Sequence, residues 1–266
     1  MWLVINQESR VEMDITSIVG VFLGIVCILI GQALEGGSIQ QLLQITAAFI
    51  VFGGTLGAVI LSFPIEDIVQ AIKELKLVFL TKAPNYDDTI SKMLAYAQKA
   101  RKEGVISLEA DAKSESDPLL KMGLEAVSDG ADPTLVRDMM ETFLSRLETQ
   151  KHGAAKVWES FGGYSPTIGI IGAVLGLIQV MQNLSDPSKL GAGIAVAFVA
   201  TVYGVGAANL IAIPISTKIK LKAQQEFVAK EMIIEGIIAI QAGESPTLIE
   251  RKLQAYLVDG KKEGNG

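Results

Sequence analysis

The sequence predicts an all-α integral membrane protein: four transmembrane helices, with a helical domain inserted between spans 2 and 3. Three observations carry this expectation. First, four apolar stretches occupy residues 15–34, 42–63, 164–181 and 190–213. Each approaches the roughly 20 residues a helix needs to cross a hydrocarbon core of about 30 Å. Second, none holds Asp, Glu, Lys, Arg or His in its central part, and 50% of the chain is hydrophobic. Third, the basic residues are unevenly spread. The connection after the first stretch has no Lys or Arg, and the one between the third and fourth has only Lys189. All others fall near the N-terminus, in the insert or in the tail. The positive-inside rule then places both termini and the insert in the cytoplasm, and Lys218, Lys220 and Lys222 beside the fourth span cast the clearest vote.

The expected division is a leader over 1–14, spans 1 and 2 within 15–63, a cytoplasmic helical domain over 64–163, spans 3 and 4 within 164–213, and a helical extension and tail over 214–266. No secretory signal is expected, because Arg10 stands alone before the first span and no small-residue cleavage site follows a short apolar core. Met13 would itself serve as a start, so residues 1–12 receive no role. The single Cys27 lies in the first span, which excludes an intrachain disulfide.

Helix signals dominate the rest. Asp117-Pro118 and Asp132-Pro133 each set an N-capping acid before a proline at the first helical position, where the missing N–H is harmless. From there Leu135, Val136, Met139, Met140, Phe143, Leu144 and Leu147 recur at helical spacing and predict one buried face. An earlier helix carries Ile90, Met93, Leu94 and Ala97 on one side and should end near Gly104. The fourth span, free of proline from Ser216 to about Ala242, should continue as a long helix. Ser245-Pro246 should open a short last helix with Leu248, Ile249 and Leu253 inward. No alternating segment of useful length predicts a strand.

Function classes narrow quickly. The net charge of −6 is spread over interspersed acids and bases, which argues against nucleic-acid binding. No phosphate-cradling loop, dinucleotide fingerprint or metal-ligand spacing occurs, and the lone His152 reads as a polar surface residue. An enzyme is not expected, nor is a cofactor. Within the spans, Gly20 and Gly24, Gly53 and Gly57, and Gly172 and Gly176 stand four apart, and small residues at that spacing let helices pack closely in lipid. Gly169, Ala173 and Gly176 share one face of the third span. Ala197, Thr201, Gly204 and Ala208 share one face of the fourth. Both faces are smooth and nearly apolar, with one hydroxyl at Thr201. An ion carrier needs an ionisable group at membrane depth, and these spans have none; either nothing is conducted or a partner supplies the charge. Pro166 and Pro214, at the ends of spans 3 and 4, mark helix starts, stops or hinges.

At this point the residues resemble a known family. Ser165-Pro-Thr-Ile-Gly-Ile-Ile-Gly-Ala-Val-Leu-Gly-Leu-Ile178, then Asn183-Leu-Ser-Asp-Pro187, is similar to the third span and following loop of the MotA/TolQ/ExbB family. Ala197-Phe-Val-Ala-Thr-Val-Tyr-Gly204, with Pro214 ten residues on, is similar to its fourth. Four spans, the placement of the insert and Arg101-Lys-Glu-Gly-Val-Ile-Ser-Leu-Glu109 point to the flagellar MotA/PomA branch. The resemblance implies a stator subunit in the bacterial cytoplasmic membrane. It would form a homopentamer around a dimer of a MotB-type single-span protein, which supplies the membrane aspartate and grips peptidoglycan, and it would push on the rotor protein FliG. It further implies an ion pathway lined by Thr201, Ala173, Pro166 and Pro214, and a rotor contact at Arg101 and Glu109, with Lys102, Glu103 and Asp111 next in line. Sodium-type members carry Thr where this chain has Ala173, so the expected ion is H+ rather than Na+. Two other readings stay open: a TolQ/ExbB-like subunit that energises a periplasmic partner, and a passive membrane scaffold.

Overall fold

The protein is described by a computed structural model that covers residues 12–81 and 84–257. Most of the leader expected at 1–14 and the end of the tail lie outside the described residues. In chain order the elements are β1 (Glu12–Met13), α1 (Ile15–Leu34), a 3-10 turn (Ile39–Leu42), α2 (Ile45–Ala48), a π-helical stretch (Phe49–Gly53), α3 (Gly54–Ser62), α4 (Ile65–Phe79) and β2 (Leu80–Thr81). There follow α5 (Tyr86–Glu103), a 3-10 turn (Val105–Leu108), α6 (Glu109–Ser114), α7 (Pro118–Ser128), α8 (Pro133–Gln182), α9 (Pro187–Gly206), a second π-helical stretch (Ala207–Ala212), α10 (Ile213–Gln241) and α11 (Pro246–Gln254). Four helical segments are long and apolar enough to cross a membrane: Ile15–Leu34, Ile39–Ser62, and parts of Pro133–Gln182 and Pro187–Gln241.

The chain divides into two compact units, Met1–Lys82 with Gln150–Leu221, and Ala83–Thr149 with Lys222–Gly266. These bounds differ from the hydropathy bounds at 64 and 163. Helix α4 and the 150–163 part of α8 pack with the spans, because specific bonds join them. The Trp158 indole N–H donates to the Ala71 carbonyl at 3.0 Å, and Lys151 meets Glu74 at 3.0 Å with both side chains nearly buried. Gln70 adds a bond to the same carboxylate at 2.7 Å. Ser216 on α10 donates to the Ala155 carbonyl at 2.8 Å.

In this first unit α1 starts where the Asp14 carboxylate accepts from the Ser17 N–H, and Asp14 also pairs with Lys218 at 2.9 Å. No residue of α1 is buried within the subunit. The only strand pairing among the described residues is two residues long and antiparallel, with Glu12 opposite Thr81 and Met13 opposite Leu80, which agrees with the expectation of no strand of useful length. Two residues are too few for alternation to show in a sequence. The opening of α2 has an unusual cap: the Tyr203 hydroxyl accepts from the Gln44 N–H at 3.2 Å and donates to the Leu42 carbonyl. Its ring stacks on Phe52 with centroids 5.8 Å apart.

The second unit has a conventional side-chain core built from Met93, Leu108, Leu119, Leu124, Met140, Met232, Ile237, Ile249 and Leu253. Asp117 caps α7 through the Leu119 and Leu120 N–H groups, and Asp132 accepts from the Thr134 N–H at 2.9 Å, as the Asp-Pro pairs predict. Helix α5 buries Ile90, Met93 and Ala97 and ends at Gly104. Two inward assignments are corrected. Leu135 and Met139 are 51% and 40% exposed, while Val136 and Met140 are buried. Leu248 is 45% exposed beside buried Ile249 and Leu253. In each case the buried stripe is narrower than the run of apolar residues, because one row of neighbours covers about a third of a helix.

Candidate functional site: the span 3–span 4 crossing and an exposed charged corner

Spans 3 and 4 meet backbone to backbone. A Cβ added at Gly204 would lie 2.5 Å from the Ser165 carbonyl oxygen, 3.1 Å from the Pro166 Cα and 3.2 Å from the Gly169 Cα. One at Gly169 would meet the Ala200 carbonyl at 2.9 Å and the Thr201 Cα at 3.5 Å, and one at Gly176 would meet the Ala197 N and Gly193 O at 2.7 Å. Glycine is required at such approaches because no side chain fits between the main chains. The smooth faces thus meet each other, and not only a central pair as the family resemblance suggests. Gly169, Gly176, Ala197 and Gly204 are consumed inside the subunit, where the third and fourth helices hold each other. Gly53 and Gly57, by contrast, face open space within the subunit. The sequence shows which faces are smooth but not which neighbour each one meets.

The same contacts place Pro166, Gly169, Thr201 and Gly204 at one crossing. Pro166 is not a helix start. It sits inside the 50-residue helix α8, where its missing N–H leaves the Gly162 carbonyl without its usual i+4 donor. Ala173, seven residues further along α8, and Thr201 are both half-buried. The Thr201 hydroxyl donates to the Ala197 carbonyl at 3.2 Å, which leaves its oxygen lone pairs available. Sequence reasoning passed over Ser165, whose side chain is fully buried with a hydroxyl that has no hydrogen-bond partner among the described residues. A serine before a proline carries no signal that would have singled it out.

Pro214 stands apart from this crossing. It is exposed in a cleft of about 370 Å³ lined by Thr16, Gly20, Phe79, Asn209 and Lys218 among others. It follows the π-helical stretch Ala207–Ala212 by one residue, so two departures from regular α-helix bonding lie next to each other in span 4. Stretches of π-helix recur at functional positions.

Arg101 and Glu109 lie in the second unit and on different helices. Gly104, with φ +83°, ends α5 in a conformation that side chains rarely adopt, and a 3-10 turn then leads to Glu109 at the start of α6. Both residues are exposed. Arg101 has no carboxylate partner among the described residues, whereas Glu109 accepts from Lys113 at 2.8 Å. The hydrogen bond and charge of Lys113 hold the Glu109 carboxyl below its ordinary range. Asp111 is engaged by Lys99 at 2.7 Å, and Lys102 and Glu103 are exposed. Nearby, burial and then the Glu115 carboxylate push the Tyr96 hydroxyl up to about 12.

Among the described residues, no group of three or more His, Cys, Asp or Glu could hold a metal. What the geometry offers is a close helix crossing with a hydroxyl and a freed carbonyl, and a separate exposed corner of charge.

Known proteins resemble this chain over most of its length. Residues 18–104 match the family described as Motility protein A N-terminal, and residues 111–232 match the MotA/TolQ/ExbB proton channel family. Motility protein A of Aquifex aeolicus is 37% identical over 247 residues, covering 92% of this chain and 97% of that one. Among solved structures, the MotAB complex of C. jejuni aligns with a TM-score of 0.88 at 30% identity, over 96% of this chain and 100% of that chain. The flagellar MotAB stator complex of Bacillus subtilis aligns with a TM-score of 0.84 at 33% identity, over 92% and 96%. The chain belongs to the MotA/TolQ/ExbB proton channel family, in its motility protein A branch.

Proposed function

We propose that this chain is the stator subunit of a bacterial flagellar motor, working with a MotB-type partner to convert ion flow into torque. The observation that carries the reading is the agreement with two MotAB structures over nearly the whole chain. The sequence of the spans adds to it, since they hold no Asp, Glu, Lys, Arg or His. A carboxylate at membrane depth must therefore come from another protein if an ion is to be carried.

In this reading five copies surround two partner helices in the cytoplasmic membrane, with both termini inside. The partner's aspartate takes up the ion near Thr201, Ala173 and Pro166, and Pro214 contributes from the cleft it lines. One elementary charge falling through 100 mV releases about 2.3 kcal/mol, enough to shift a packed interface but not to unfold a unit. Turning whole subunits around the central pair suits a step of that size. Arg101 and Glu109 then meet complementary charges on FliG, where exposed charge governs encounter and register more than static affinity. Ala173 brings no side-chain oxygen to the proposed site, where Thr201 and the buried Ser165 carry hydroxyls, and so short a set of oxygens suits a proton better than a sodium ion with its several oxygen ligands.

The test is complementation in a motile strain lacking its own subunit, with native mass spectrometry of the purified complex. Restored swimming and a five-to-two mass support the reading. A monomer that captures no single-span protein overturns it. Swimming that stops when external sodium is removed at fixed proton-motive force overturns the choice of ion alone.

A further inference from the structure

Between Arg101 and Glu109 the chain turns from α5 into α6, and one side chain of that turn has no use inside the second unit. In a 3-10 turn, residues three apart lie on the same side. Val105 and Leu108 are so spaced and both pack on the core, Leu108 with none of its surface exposed. Ile106 points a third of a turn away from them and is 72% exposed. Among the described residues of this unit it is the most exposed large aliphatic side chain, and the next, Leu135, stands at 51%. The turn that presents it is held at both ends. The Gly104 N–H donates to the Ala100 carbonyl at 2.8 Å, and the Gly104 carbonyl accepts from the Ser107 N–H at 3.1 Å and from its hydroxyl at 2.7 Å. Lys99 of α5 meets Asp111 of α6 at 2.7 Å across the turn. A lone exposed aliphatic side chain is ordinary on a protein surface. This one stands on a fixed turn, with Arg101, which has no carboxylate partner among the described residues, on one flank and the exposed Glu109–Lys113 pair on the other.

We propose that Ile106 is the apolar anchor of the rotor contact, entering an apolar pocket on the rotor protein that is rimmed by an acid for Arg101 and a base for Glu109. Resting on the placement of Arg101 and Glu109 at the rotor proposed above, this anchor adds what charge alone lacks. Exposed charges steer approach and set register, but water and salt screen them and they resist separation weakly. A contact that transmits force must hold while it is pushed. An aliphatic side chain buried inside a polar rim supplies that hold, because the rim keeps water from the centre of the contact. The turn is already ordered, so docking it costs little conformational entropy. Apolar attraction grows with the area buried. One side chain therefore also lets go readily, as a contact remade at every step requires.

The experiment uses the full-length chain in complex with its single-span partner, in a motile strain lacking its own subunit and, once purified, titrated with purified rotor protein. Ile106→Ser should weaken rotor binding roughly 10- to 100-fold and slow swimming most in viscous medium, and Ile106→Leu should recover most of both. The loss should persist at high ionic strength. The loss caused by Arg101→Glu with Glu109→Arg should shrink there, since salt screens charge and not apolar contact. An Ile106→Ser loss that fades with salt overturns the anchor. So does an Ile106→Ser variant that binds and swims as wild type while the charge reversal fails, and in that case the rotor reading stands. If the reversal also binds and swims as wild type, the rotor face lies elsewhere and both fall. A photoreactive phenylalanine analogue in place of Ile106 reads the contact in cells, should the Ser variant fail to accumulate. It should cross-link to the rotor protein. Cross-links confined to a second copy of this chain would show that a neighbouring subunit covers Ile106 and would overturn the proposal.

Discussion

The two compact units of this chain solve helix packing in opposite ways. In the unit with the spans, helices approach until main chain meets main chain, as where Gly204 faces the Ser165 carbonyl and the Gly169 Cα. In the other unit they are held apart by side chains, and a Cβ placed at Gly123 would meet side chains alone, the flexible end of Met140 at 2.8 Å and the Ile237 Cγ1 at 3.2 Å. The solvents explain the difference. In water, burial of apolar surface drives association at about 25 cal/mol per Å², so large side chains are the natural filling. In lipid that drive between helices vanishes, and close van der Waals contact of small residues takes its place. A glycine therefore has a different meaning in each unit, and that can be broken experimentally.

Amide hydrogen exchange of the purified complex, resolved by peptide, reads both units at once. The largest loss is expected for Leu124→Ala, which empties a fully buried position and should cost about 2–5 kcal/mol. Faster exchange should be confined to peptides within 84–149 and 222–257. Next comes Gly204→Ala, at about 1–3 kcal/mol, because every atom it would strike is backbone and none can rotate away. Exchange should rise in α9 and around residue 166, and swimming should fall with it. Tyr203→Phe comes third, at about 1–2 kcal/mol, since the Gln44 N–H and Leu42 carbonyl lose their cap; opening should appear at residues 42–48. If Phe at this position is silent, water has replaced the hydroxyl and the cap is dispensable.

Gly123→Ala should stay within about 1 kcal/mol of wild type, because helix propensity gains roughly what the shift of the Met140 tip and a few tenths of an ångström at Ile237 lose. Were it as damaging as Gly204→Ala, the contrast between the units would fail. The smallest effect on stability is expected for the double reversal Arg101→Glu with Glu109→Arg, since both side chains are exposed and water screens their interactions. Its effect on swimming should nevertheless be severe, with partial rescue by opposite reversals on the rotor protein. The pH dependence supplies a control. Because Lys113 depresses the Glu109 carboxyl, the contribution of that pair is present above the ordinary carboxylate pKa of about 4.3 and fades as the pH falls through the lower folded value. Near neutral pH it is fully charged in wild type, so a motility defect there reports the lost contact and not protonation.

The helical caps were legible from sequence because their chemistry is local: Asp117, Asp132 and Ser245 satisfy donors two or three residues away. The narrower burial of Leu135, Met139 and Leu248 was not legible, since apolar periodicity reports a face but not how much of it a neighbour covers. Of the proposed ion-pathway residues, the structure brings Pro166 and Thr201 to one crossing, leaves Ala173 half-buried two turns along α8 and sets Pro214 in another cleft. Linear spacing from span ends could not separate them.

The sequence by itself determined four apolar spans, their charge-poor connections, the lack of a carboxylate or a base within them and the family signature. Each of these follows from composition or short-range order, which need no knowledge of neighbours. Only the tertiary structure decided that the glycines of spans 3 and 4 are spent on each other, that Pro166 lies inside one continuous helix, that Tyr203 caps a helix more than 150 residues away in sequence, and that 83–149 closes its core with 222–257. Smooth helix faces are interchangeable in sequence terms, since many pairings satisfy the same small-residue pattern. The choice among them is made by contacts between distant segments, where close approach of main chains excludes every pairing but one.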